Sequence, residues 1–540
     1  MSSRSLPVSR LPRAFAPLRH AVFRSLWLAT LASNTGMWVQ NTGAGWLMTS
    51  LDPSPFMVSL VQAASMLPVF LLALPAGALA DIVDRRRFLI GAQVWMLFMA
   101  VLLALLAATD ALGPWGLLLI TFGIGAGTAI NFPAWAATTP ELVPREDLVG
   151  AVALNGIGFN LARAVGPALG GFAIAAAGPE AAFVLNAFAF LLLIVALVAW
   201  RRPPSHRSTL PKEHLVAAMR AGLRFVAASP SMQAAILRAC AFFLPAAAVW
   251  GLLPLLVRGQ LGLGPEAFGL MLGVMGASAV GAGFVLPSLR ARMDRGTLVF
   301  RASLLVSVAM GGLALSEHWA PAALAMALYG AAWIAAGSTL AVSAQTAAPA
   351  WVRARAIAIY QLSFFGMMAL GAALAGWIGA RFGVAPALAA ASLGGMAMAF
   401  FVRPWRLDPA AAAQAGGEAA SVPVPEAPSA ELQTLLDERS GRVLEVVRYR
   451  IDPADRSAFL EAMREARRVR LRSGALTWRL YEDVAHPERW AEFWAVENWT
   501  EHLREAQRLT EDDLASLARA AALHRGDAPP EASRYLNVPP

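Results

Sequence analysis

Twelve stretches of mostly apolar residues, each about twenty residues long or more, constrain what this chain can fold into. A helix needs about 20 such residues to cross the hydrocarbon core of a bilayer, and it closes its backbone hydrogen bonds within the segment. The stretches run over 22–47, 56–80, 88–108, 114–137, 149–176 and 181–200. After a polar interval they resume over 233–257, 267–289, 298–315, 320–346, 355–380 and 385–402. The spacing predicts an all-α membrane protein of twelve transmembrane helices in two six-helix halves. Of the 540 residues, 57% are apolar and 15% charged, whereas soluble domains carry about 25% charged residues. The excess lies in 21–402, while 437–540 has an ordinary soluble composition. The expected plan is a tail over 1–20, one half over 21–200 and a linker with an amphipathic helix over 201–230. The second half follows over 231–405, then a flexible Ala/Pro/Gly/Glu linker over 406–436 and the soluble domain over 437–540.

Arginine and lysine crowd the N-terminus, the Arg85–Arg86–Arg87 turn, the 201–224 interval, the 290–301 turn, Arg353 with Arg355, and Arg403 with Arg406. The alternate turns hold almost none, Arg258 and Arg381 excepted. By the positive-inside rule both termini are cytoplasmic. The net charge of +9 is thereby explained by topology, and no nucleic-acid partner is needed. The first residues lack the apolar core and cleavage site of a signal peptide. A single cysteine, Cys240, excludes a disulfide framework or a cysteine-based metal site, and no metal or cofactor motif is apparent. Between the halves, Leu215, Met219, Leu223 and Val226 recur at helical spacing among Lys212, Arg220 and Arg224. That pattern predicts a helix lying on the cytoplasmic membrane surface.

The halves are alike. Gly166-Pro167-Ala168-Leu169-Gly170-Gly171 recurs as Gly371-Ala372-Ala373-Leu374-Ala375-Gly376, and Gly77 has an echo at Gly283. A parallel repeat places a transport pathway between the halves.

The segment 67–90 resembles the loop between helices two and three of the major facilitator superfamily, through Gly77, Asp81, Arg85 and Arg86. Ile82 stands where that pattern has a basic residue, and Asp84 where it has glycine. Asp81 lies at a helix end, where it is expected to act as a latch, neutralised by Arg85, Arg86 or a helix N-terminus in one conformation and released in another, or else the turn serves only as a topology anchor. Span five, with Ala162, Gly166, Pro167, Gly170 and Gly171, resembles the motif of the superfamily's exporters; small residues there let helices approach. Ser33-Asn34 with Gly36, Trp38, Gln40 and Trp46, then Glu141 to Arg145, Ala153-Leu154-Asn155 and Asn160 to Arg163 resemble the secretion-effector and enterobactin-exporter group. The resemblance covers nearly all of 15–405. It implies proton-driven export, by alternating access, of a siderophore or other small amphipathic molecule across a bacterial inner membrane.

Polar side chains are costly at bilayer depth and therefore informative. Candidates for the substrate are Asn34, Gln40, Asn41, Gln62, Asn131, Asn155, Asn160, Arg163 and Gln361; each Asn or Gln can equally join helices. Arg163 falls too far from either surface to snorkel, so it is expected to line the cavity and attract an anionic or catecholate group, or else to be satisfied by carbonyls. Arg238, nearer the cytoplasmic end, is expected to snorkel. No Asp or Glu lies deep in a span, so proton coupling rests on the resemblance, with Asp81 the motif acid at the gate.

In the soluble domain the order is strand 442–451, helix 454–470, strands 475–484 and 489–497, helices over 499–521 and a strand near 532–537. This predicts a ferredoxin-like α+β fold. With Trp478, Trp490, Phe493, Trp494 and Trp499 it resembles the small antibiotic-biosynthesis monooxygenase domains, which pair into dimers. The resemblance implies a sensing or dimerising domain, or alternatively a cofactor-free monooxygenase tethered to its exporter, with His486 and His502 as acid–base candidates.

Overall fold

A computed structural model describes residues 13–200, 215–349, 351–407, 441–509, 511–526 and 528–537. The first half is α1 (Ala21–Leu51), α2 (Pro55–Ile82), α3 (Arg85–Ala108), α4 (Pro114–Leu142), α5 (Leu148–Ala177) and α6 (Pro179–Ala199). A linker helix, α7 (Leu215–Ala228), precedes α8 (Pro230–Leu255), α9 (Pro265–Arg292), α10 (Arg295–Ala314), α11 (Trp319–Ala347), α12 (Arg353–Phe382) and α13 (Val384–Phe401). Several start where the sequence supplies a helix start. Pro stands at the first position of α2, α4, α6 and α9, where its missing N–H costs nothing. Asp84 and Asp294 cap α3 and α10, accepting from the amides of Arg87 and Thr297 at 3.0 and 2.8 Å.

Among the described residues, eleven helices are long and apolar enough to cross a membrane, one fewer than the sequence pattern predicts. The difference is α1, a helix of 31 residues whose hydroxyl, amide and glycine positions dilute its apolarity. The membrane helices also turn large apolar side chains outward: Leu119 is 72% exposed, Phe284 82% and Leu393 69%. Such surface is compatible with lipid and not with water.

Corresponding helices have matching lengths. Both α2 and α9 have 28 residues, α4 and α11 have 29, and α5 and α12 have 30. In the first half α1 packs on α6 and α2 on α4, while α3 touches both α4 and α6; in the second α10 packs on α13. Met48, Val58, Leu103, Leu117 and Phe183 fill the core between α1, α2, α3, α4 and α6.

The chain forms two compact units. One holds 1–210, 236–341 and 360–405; the other holds 211–235, 342–359 and 406–540. In the second, β1 (Val443–Arg450), β2 (Thr477–Glu482), β3 (Arg489–Val496) and β4 (Glu531–Leu536) form an antiparallel sheet in the order β2-β3-β1-β4. Helix α14 (Arg456–Ser473) joins β1 to β2, and α15 (Trp499–Arg508) and α16 (Glu511–Ala522) join β3 to β4. Strand alternation sends Val443, Val447, Tyr449, Trp490, Trp494 and Val496 to one face, where they bury Phe459 and Met463 of α14 and Leu517 of α16. In the same unit α7 runs beside α14. Phe225 of α7 is buried edge-on against Trp351, and the Arg508 guanidinium lies 4.6 Å from the Trp351 ring. Leu223 faces outward and is 62% exposed. The side chains of Leu215 and Met219 lie outside the described residues.

Candidate functional site

The two glycine sextets perform one packing task in each half. The first glycine packs within its own half: a Cβ on Gly166 would lie 2.5 Å from Trp38 Cβ of α1, and one on Gly371 would meet Ala247 Cβ of α8 at 2.9 Å. The last glycine packs across the halves. A Cβ on Gly171 would lie 2.6 Å from the Pro265 carbonyl of α9, and one on Gly269 equally close to the Pro167 carbonyl. Gly376 of α12 likewise abuts Ser59 of α2, and a Cβ on Gly379 would sit 2.9 Å from Pro55 Cβ. Any side chain at these positions holds the halves apart.

All these cross-half contacts lie toward the end of the bundle that carries the turns at 52–54, 178, 261–264 and 383, the arginine-poor turns. Arg258, an exception to the charge pattern, serves that end: it donates to Thr49 at 2.8 Å and to Ser50, and lies over the Trp46 ring. Arg381, the other exception, stacks on Trp377 at 4.1 Å. At the opposite end the polar contacts between described residues stay within one half. His20 meets Asp147 and Arg85 meets Glu141 in the first; in the second Arg290 reaches Ser338 and Thr339.

Between the halves lies a cleft lined by Trp38, Asn41, Gln62, Trp250, Pro254 and Phe268, among others. Trp38 and Trp250, one from each half, stand 5.7 Å apart. Asn34 shares a face of α1 with Trp38 and Asn41 by helical spacing. Arg163 is half-buried and makes no hydrogen bond or ion pair with a described residue. Counting 100° per residue along α5, it falls between the face that meets α1 (Ala162, Gly166, Gly170) and the face that meets α9 (Ala164, Ala168, Gly171). The exposed Leu161, Val165, Leu169 and Phe172 lie opposite, so Arg163 points inward. Asn160 shares that inward arc and donates to its own helix at Gly156.

Other candidates sit between helices of one half. Gln40 is fully buried and accepts from Asn186 of α6. Asn131 accepts from Gln93 at 3.0 Å, and Asn155 donates to Thr139 at 3.2 Å. Gln361 is half-buried on α12. Arg238 does not snorkel: it is buried and donates to the carbonyls of Gly296, Arg403 and Trp405 at 2.8–2.9 Å. Those carbonyls beside the start of α10 and the end of α13 hold the charge more firmly than a water layer several residues away.

At the α2–α3 turn, the surroundings of Gly77 and the side chain of Asp81 lie outside the described residues. Arg85 donates to Glu141 at the end of α4 at 2.7 Å, and Arg86 to the carbonyls of Leu197 and Val198 at the end of α6 at 2.9 and 2.7 Å. The arginine pair thus ties three helix ends together and satisfies carbonyls that α6 leaves open. Glu141 as partner was not evident from sequence, since 56 residues separate it from Arg85. The α9–α10 turn repeats the device at an offset of 210, with Asp294-Arg295 matching Asp84-Arg85. The hydroxyl and amide of Thr297 hold the Asp294 carboxyl below its usual range.

A family model described as transmembrane secretion effector matches residues 12–539. The chain belongs to that family of major facilitator transporters. The enterobactin exporter EntS of Escherichia coli O6:K15:H31 is 26% identical over 367 residues, covering 67% of this chain and 86% of that one. The MFS-type transporter YfiS of Bacillus subtilis is 27% identical over 343 residues, covering 61% and 80%. Among solved structures, a bacterial homologue of the human lysosomal transporter Spinster, inward-facing, superposes with a TM-score of 0.60 at 14% identity, covering 74% of this chain and all of that one. The protein is therefore a multi-pass membrane transporter.

The transporter's C-terminal unit buries a charged network beneath its sheet. Glu492, fully buried, accepts from Trp478 at 2.9 Å and Tyr449 at 3.1 Å, with Arg470 Nε 3.4 Å away. Burial first, then the Glu492 carboxylate, pushes the Tyr449 hydroxyl well above its usual range. His502 is buried against Glu445, whereas His486 stands half-exposed in the turn between β2 and β3.

Proposed function

We propose that the transporter is a secondary active exporter that moves a small amphipathic molecule, siderophore-like or drug-like, out across the inner membrane by alternating access, driven by the proton gradient. The observation that carries this reading is the close packing of the two halves at the arginine-poor end, beside an aromatic and amide-lined cleft. With α1 taken as the twelfth span and both termini cytoplasmic, the sealed end is the outer one and the cleft opens inward. Trp38 and Trp250 offer stacking surfaces, Asn41 and Gln62 hydrogen bonds, and the inward Arg163 a positive charge; together they suit an aromatic, anionic group. The exporter names among the relatives support that substrate class and the outward direction.

Opening the cytoplasmic end requires the helix ends held by Arg85, Arg86 and Glu141 to move as a body, with Asp81 as the latch. Gly166 and Pro167 set how closely α5 packs. The C-terminal unit, with β-α-β-β-α-α-β connectivity and β4-β1-β3-β2 sheet order, is read as ferredoxin-like. Leu444, Tyr481 and Tyr535 are exposed on the sheet face away from the helices, which supports pairing of two copies there.

The test is uptake into inside-out vesicles of a labelled catecholate siderophore and of a cationic dye under an imposed proton gradient. Gradient-dependent accumulation that is lost in Asp81→Asn supports the reading, and the better substrate names the class. No accumulation of either by folded protein overturns it.

A further inference from the structure

Three side chains that are far apart in sequence converge beneath the C-terminal sheet. Glu445 comes from the helix-covered face of β1; His502 and Glu505 come from one turn of α15, three residues apart. Asn498 starts that helix by accepting from the Glu501 amide at 2.9 Å, which fixes the face it presents. One ligand atom from each of the three lies within 4.8 Å of the others, and the residues are 4, 8 and 4% exposed. Their partners are unevenly distributed. Glu505 Oε2 accepts from the indole of Trp494 at 3.2 Å, but its buried Oε1 accepts no hydrogen bond, Arg470 standing 3.7 Å away. Arg470 is already engaged: it pairs with Glu492 and lies 3.6 Å over the Trp494 ring. A buried carboxylate oxygen without a hydrogen bond is costly, and a cation bound between the two glutamates and the imidazole removes that cost.

We infer that Glu445, His502 and Glu505 form a binding site for a divalent first-row transition metal ion. Imidazole nitrogen with two carboxylates is a borderline-to-hard donor set, suited to Zn²⁺ or Mn²⁺ over the thiolate-seeking ions. Three protein ligands leave at least one coordination position for water or an incoming donor. The surroundings act as an outer layer: Trp494 orients the Glu505 carboxylate, and the Trp499 ring lies against His502 at 4.8 Å between centroids. Metal binding would tie β1 to α15 through a shared ion in place of the direct Glu445–His502 contact. It would also release any proton held among the three ligands. The site is independent of the transport cleft, so its failure and the failure of the export reading are separable.

The experiment uses the untagged full-length transporter, purified in detergent and treated with chelator, then titrated with Co²⁺ as an optical stand-in and with Zn²⁺ and Mn²⁺. Expected is one ion per chain, visible Co²⁺ bands and a metal-dependent rise in the melting temperature. His502→Ala and Glu505→Gln should each weaken binding by more than the about 10–100-fold that outer-layer changes cost. Trp494→Phe, which leaves all three ligands in place, should weaken it within that range. Each variant is compared with the metal-free parent by circular dichroism, so that loss of folding is not mistaken for loss of a ligand. No stoichiometric binding to the parent overturns the inference, and so does binding that survives both ligand substitutions in folded protein.

Discussion

At the scale of single residues, one side-chain type serves two tasks, and burial decides which. Gln40 and Gln62 are both amides at bilayer depth, but Gln40 is closed off with Asn186 while Gln62 lines the cleft. Gln40→Leu should therefore lower thermal stability, by about 1–3 kcal/mol for the buried Asn186 amide left unpaired, with the substrate affinity of the surviving protein unchanged. Gln62→Leu and Asn41→Leu should do the reverse, keeping the melting temperature and lowering substrate binding in the same detergent-solubilised protein. The half-buried Arg85–Glu141 pair is worth roughly 1 kcal/mol, enough for about a fivefold shift between two conformations. Glu141→Gln should shift the transporter away from its present state by that factor, and the exchange Arg85→Glu with Glu141→Arg should restore part of it. Site-directed labelling near the α2–α3 turn reports the shift.

Helix pairs are where the glycine sextets act. Because α5 touches α9 backbone to backbone at Gly171 and Gly269, a side chain there must open the interface. Gly269→Leu should disfavour closure at the arginine-poor end by about 1–3 kcal/mol, or 5–150-fold in population, read by cross-linking of cysteines placed across α5 and α9. Gly91→Leu is the control, since nothing lies within 4 Å of a Cβ there, and it should change little.

Over the whole molecule, the two halves repeat each other in helix length, in the sextet contacts and in the Asp-Arg caps of α3 and α10, and the described cross-half glycine contacts run from the arginine-poor end to mid-bundle, where Gly366 abuts Phe70 and Gly276 abuts Ala164. That geometry predicts which side reaches the centre. In a Cys240→Ser background, Asn160→Cys should react with a membrane-impermeant thiol reagent in inside-out vesicles and resist it in right-side-out ones. Substrate should slow the reaction. Equal labelling from both sides would contradict the proposed inward opening.

Read alone, the sequence was enough for the membrane class, the two-half repeat, the transporter family and the succession of strands and helices along the C-terminal unit. Bilayer thickness, backbone hydrogen bonding and strand alternation act on consecutive residues, so they leave a local record. The spans were legible to within one helix, and α1 escaped the apolarity rule because its polar residues face other helices and the cleft. Tertiary structure alone decided which amides line the cleft, that Glu141 answers Arg85, that Arg238 is held by carbonyls, and that Glu445 meets His502 and Glu505. Each depends on how far a helix is rotated about its axis or on which distant segment packs beside it. A rotation of 100° per residue separates a ligand contact from a helix joint without changing the composition of the span.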